Sequence, residues 1–107
     1  MTRHDRNQEV SWWDVQIHMK EVGKAHNGRL IVSMTADMSE RTGKALCVAV
    51  QFWPKGRSAD KGFLTQKWLM WPHIDFKTMP AMLLYLSLTL DYELSQRERS
   101  SEEQAHF

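Results

Sequence analysis

Thr42-Gly43-Lys44-Ala45 comes nearest in this chain to a phosphate loop, in which glycine-rich backbone and a lysine hold phosphate while a following hydroxyl holds magnesium. The upstream glycine is missing and Ala45 stands where the hydroxyl belongs, so the segment is read as a hairpin turn. Asp14 and His18 are one helical turn apart and could each give a metal one ligand. The next histidine, His26, lies two turns farther along, about 12 Å up the axis, too far to join them. The histidines are therefore expected to be solvated or hydrogen-bonded. Cys47 sits between Leu46 and Val48, a setting that suits a small, inert, half-buried side chain better than a nucleophile. Neither a G-x-S-x-G elbow nor a pair of carboxylates at a strand end is present. No enzyme activity, cofactor or metal is expected. A core rich in Trp, Met and Leu is expected to fill its space, which argues against a small-molecule substrate.

Residues suited to binding are more numerous. The chain has five Trp and seven Met beside only two Tyr, and Trp, Met and Arg are enriched where proteins touch. Trp13 and Ile17 fall outside the stripe that a first helix would bury, and Lys20 and Lys24 continue their side. A tryptophan beside a lysine row is an anchor with a charged rim. With Trp53 and Trp71, these four make the expected protein-contacting set.

Charge offers a second chemistry. Residues 15–77 hold ten basic against five acidic side chains, whereas residues 91–103 hold five acidic against two basic, an asymmetry that the net charge of +1 hides. Arg41 and Lys44 fall in a first turn, Lys55, Arg57 and Lys61 in a second loop, and Lys67 on a third strand, near Trp53, Phe63 and Trp71. Cations beside aromatics suit phosphates and unstacked bases, so these six residues are the alternative, nucleic-acid-binding set.

The elements that position them follow from periodicity. Ser11 and Asp14 form a capping-box pattern, and Trp12, Val15, Met19, Val22 and His26 share one helical stripe that ends at Asn27-Gly28. Alternation then predicts strands from Leu30, from Leu46 to the stop at Pro54, and from Phe63 to Trp71. Thr78 and Pro80 open a second helix with Met82, Leu83, Leu86, Leu90 and Leu94 inward and further apolar residues on its other sides.

The fold class is α+β: helix, three-stranded antiparallel meander, helix (αβββα), with both helices on one sheet face. Leu30, Val32, Val48, Val50, Leu64 and Trp68 are expected on that face. The outer face is expected to carry Ser33, Thr35, Ala49, Gln51, Thr65 and Lys67, with its aromatics at the margins. A sheet that reads single strands carries aromatics centrally, which places protein contact ahead of nucleic acid. The element order resembles that of the double-stranded-RNA-binding domain, without the basic run that opens that module's second helix: residues 74–81 hold Lys77 alone.

At 107 residues the chain is expected to be one soluble domain, residues 11–97, between a flexible N-terminus, 1–10, and a flexible acidic tail, 98–107. Its most apolar stretch, 79–90, is about half of what a membrane helix needs. One cysteine rules out an intrachain disulfide, and the start has no leader pattern, so a cytoplasmic setting is expected. The expected role is a non-enzymatic module that binds a protein or a second copy of itself. It would serve as adaptor, inhibitor or self-associating unit, of the kind a phage or mobile element carries to act on a host complex.

Overall fold

The computed structural model describes residues 9–37 and 45–105. Ser11 caps the first helix, α1 (Trp12–Ala25): its Oγ accepts from the Asp14 backbone N–H at 3.1 Å, and its own N–H donates to Asp14 Oδ2 at 3.0 Å. The helix ends at His26, and Asn27 takes the left-handed φ of 56° that turns the chain into the sheet. Val15 and Val22 are buried and Met19 packs beside them. Trp12 departs from its stripe and is 57% exposed, while Val10, before the cap, packs against the buried cluster in its place.

Gly23 weakens the last turn of α1 by about 1 kcal/mol relative to alanine, and packing explains its presence. A Cβ at position 23 would stand 2.9 Å from the Gly28 carbonyl oxygen, and one at position 28 would stand 2.5 Å from the Trp53 carbonyl oxygen. Two glycines thus let the end of α1 lie on the start of β1, and β1 lie close to the end of β2.

The strands β1 (Gly28–Ala36), β2 (Leu46–Pro54) and β3 (Thr65–Trp71) form one antiparallel sheet in that order, with a short 3-10 turn, Ala59–Lys61, between β2 and β3. The second helix, α2 (Met79–Ala105), returns across the same face as α1. Thr78 Oγ1 accepts from the Ala81 N–H at 3.3 Å. Met82, Leu83, Leu86, Leu90 and Leu94 are all buried, against Val48, Val50 and Phe52 of the central strand. The αβββα order and the placement of both helices are as the periodicity predicts.

The parity of β3 is not. Val48 pairs with Leu69, Val50 with Lys67 and Phe52 with Thr65, so the helix-covered face takes Thr65, Lys67, Leu69 and Trp71. Leu64 and Trp68, expected among the core, are exposed, and Thr65 and Lys67, expected outside, lie half-buried on the helix-facing side. Both alternating sets of this strand are apolar, so alternation cannot choose between them, and a shift of one residue exchanges the faces. Glu93 of α2 makes the choice: its carboxylate accepts from Thr65 Oγ1 at 2.5 Å and pairs with Lys67 Nζ at 2.6 Å. Those hydrogen bonds from Lys67 and Thr65, with Arg97 nearby, hold the Glu93 carboxyl below its ordinary range.

α2 also runs past position 97, because no Pro or Gly interrupts it between Ala81 and Ala105. Glu98, placed by sequence in the tail, belongs to the folded body. His26 donates through Nδ1 to Glu98 Oε1 at 2.6 Å and through Nε2 to Asp91 Oδ1 at 2.7 Å, with its side chain 5% exposed. Burial opposes the charged imidazolium, but the two carboxylates outweigh it and raise the His26 pKa above its ordinary value. His18 likewise serves structure, with Nδ1 2.9 Å from the hydroxyl of the fully buried Ser87. Among the described residues no helix is long and apolar enough to cross a membrane.

Candidate functional site

Both helices cover one side of the sheet, and the other side is open. β1 contributes Arg29, Ile31, Ser33 and Thr35 to it, β2 contributes Cys47, Ala49, Gln51 and Trp53, and β3 contributes Gln66, Trp68 and Met70. Of these eleven residues only Arg29, opposite Trp53 at one end, is charged. Trp68 sits mid-strand, opposite Ala49, and is 54% exposed. The small side chain on the central strand leaves the indole a shelf beside it. At one end the polar groups satisfy one another: Trp53 Nε1 donates to Gln51 Oε1 at 3.2 Å, and Gln51 Nε2 donates to Gln66 Oε1 at 3.4 Å. The surface mixes apolar with small polar side chains, and its depletion of charge away from Arg29, with Trp and Met present, is the composition of an interface core.

A basic cleft of about 510 Å³ opens at the end of the sheet where β1 begins and β2 stops. Its lining includes Lys24 from α1, Arg29 from β1, Trp53 from β2, and Lys55 and Arg57 from the loop beyond, with no acidic residue. The floor is made by Gly23 and Gly28, the pair whose missing side chains bring helix and strand together. Arg57 is fixed by its own loop, donating through Nε to the Gly62 carbonyl at 2.8 Å and through Nη2 to that of Lys61 at 3.3 Å. Trp53 joins this cleft to the open sheet face and meets Phe63 edge-on, with ring centroids 6.4 Å apart.

The protein-contacting set expected from sequence is thus divided. Trp13 and Ile17 are exposed on α1, Trp13 by 67%, beside a hollow lined by Glu9, Asp14, Glu21, His18 and Leu84. Lys20 and Lys24 lie on the flank of α1 that faces β1. Trp53 stands at the corner between cleft and open face, and Trp71 packs against the buried cluster. Of the alternative set, Lys55 and Arg57 enter the cleft, Lys61 is exposed in the 3-10 turn, and Lys67 is half-buried beside α2, paired with Glu93. Arg41 and Lys44 lie outside the described residues.

Two residues of these surfaces were not singled out by sequence as binding residues. Trp68 was hidden by the two-sided apolarity of β3, and Arg29 has no signal beyond its place after Asn27-Gly28. Cys47 is half-buried on the open face. Among the described residues no group of three or more His, Cys, Asp or Glu side chains is placed to hold a metal ion. No protein-family model, curated protein or solved structure matches the chain.

Proposed function

We propose that this chain is a non-enzymatic protein-binding module whose contact surface is the open sheet face, and that the occupant of that face is a second copy of the chain. The observation that carries this reading is a sheet face whose one charge, Arg29, stands at an end, and on which Trp68 is more than half exposed midway along β3. A lone exposed tryptophan on a sheet is ordinary, but one whose neighbours on the face are uncharged up to Arg29 at its end marks a surface that gains by being covered. Two copies related by a two-fold axis near Trp68 would bring the uncharged part of the patch together and keep the two Arg29 ends apart. The α1 ridge at Trp13 and Ile17 supports contact less well, because Glu9, Asp14 and Glu21 crowd it on one side.

Cytoplasmic residence and an adaptor or inhibitor role, of the kind a phage or mobile element would carry, belong to the same reading.

Light scattering on a sizing column tests it. The wild-type chain is expected at about 25 kDa, twice its 12.6 kDa, and Trp68→Glu at the monomer mass with a melt that is still cooperative. A wild-type mass of 12.6 kDa at every concentration, or a dimer that survives Trp68→Glu, would overturn the proposal.

A further inference from the structure

The seam between α1 and β1 is charged in one sign only. The basic cleft runs into a second hollow of about 330 Å³, and the two share Gly23, Lys24, Gly28 and Arg29, so they make one groove. The second section adds Lys20 and again no acidic residue. Among the described residues, Lys20, Lys24, Arg29 and Lys55 form no ion pair, whereas Lys67 and Arg97 both meet Glu93. Neighbouring cations without counter-charges repel one another, and an anion that spans them relieves the repulsion.

The anion must be extended, because the four cations come from α1, β1 and the loop after β2 rather than converging on one point. It must also fit an aromatic lining, since Trp53 stands next to Lys55 at one end of the groove. A phosphodiester chain with bases meets both demands, and a groove between a helix and a sheet edge takes one strand more readily than a duplex.

We propose that this groove binds single-stranded nucleic acid, with Lys20, Lys24, Arg29 and Lys55 on the phosphates and Trp53 against a base. The groove meets the open face at Arg29 and Trp53, and the two readings are separated by Lys20, Lys24 and Lys55, which lie outside that face, and by Trp68, which lies outside the groove.

The test is fluorescence anisotropy with a labelled oligothymidine of about 20 nucleotides, long enough for one site. With four phosphates neutralised on a single strand, raising salt from 50 to 200 mM is expected to lower affinity about 50-fold. The triple variant Lys24→Gln, Arg29→Gln, Lys55→Gln is expected to lose about 2 from the slope of log affinity against log salt. Trp53→Leu is expected to weaken binding about tenfold at an unchanged slope. Lys77→Gln, an exposed lysine outside the groove, and Trp68→Glu are expected to bind as the wild type does. Thermal melts confirm that each variant folds. The proposal is overturned by absence of binding at 50 mM salt, by a triple variant that binds like wild type, or by loss of binding in Trp68→Glu. Equal affinity for polyglutamate or for a duplex overturns it as well, by replacing the ligand with an acidic polypeptide or a two-stranded one.

Discussion

The two faces of the sheet share a backbone and differ in what their side chains do. On the covered face Val48, Val50 and Phe52 meet the leucines of α2, and the one lysine of β3, Lys67, is held there by Glu93. On the open face the same strand presents Trp68, half exposed, in surroundings without charge. β3 therefore turns a half-buried lysine toward α2 and a more exposed tryptophan away from it, against the usual preference for an exposed cation and a buried indole. Local rules are broken most often where function requires it, which is why the exposed tryptophan rather than the ordinary core carries the functional reading.

The contrast predicts unequal responses to mutation, the largest on the covered face. Leu90→Ala, at a fully buried site between helix and sheet, is expected to cost about 2–5 kcal/mol and to lower the melting temperature sharply. A melt unchanged from wild type would show that α2 does not anchor the core. The next effect comes from the His26 clamp that ties α1 to α2. Because its pKa is raised in the folded chain, its stabilising contribution is full below the ordinary value of 6.5 and is lost as pH rises through the raised value. Melting temperature measured across that range is expected to fall more steeply for wild type than for His26→Gln, and parallel curves would remove the clamp. The smallest stability effect is expected for Trp13→Ala, within about 0.5 kcal/mol, since the side chain is two-thirds exposed. Association should persist in that variant, and its loss would transfer the contact surface from the sheet to the α1 ridge.

Much of the covered side was legible in the sequence, and less of the open side. The Ser11–Asp14 cap, the Asn27-Gly28 exit and the α2 leucines are local signals, each settled by residues within a turn or two. The faces of β3 depend instead on Glu93, 26 residues beyond Lys67 in the chain, and no alternation could reveal that partner. The same long-range tie drew Glu98 out of the expected tail toward His26. Of the site, Lys24, Lys55, Arg57 and Trp53 were visible as separate hints. Their convergence on one cleft depends on Gly23 and Gly28 admitting close packing, which is a property of the assembled fold.

The most direct test of the open face uses Cys47, which lies on it. Cys47 is the only cysteine in the chain and therefore reports labelling at one known place. If a second copy covers this face, the rate at which a thiol reagent labels the folded protein falls as protein concentration rises. In Trp68→Glu the rate stays at its dilute value throughout. A wild-type rate independent of concentration while light scattering reports a dimer would contradict the account, because the copies would then be meeting elsewhere.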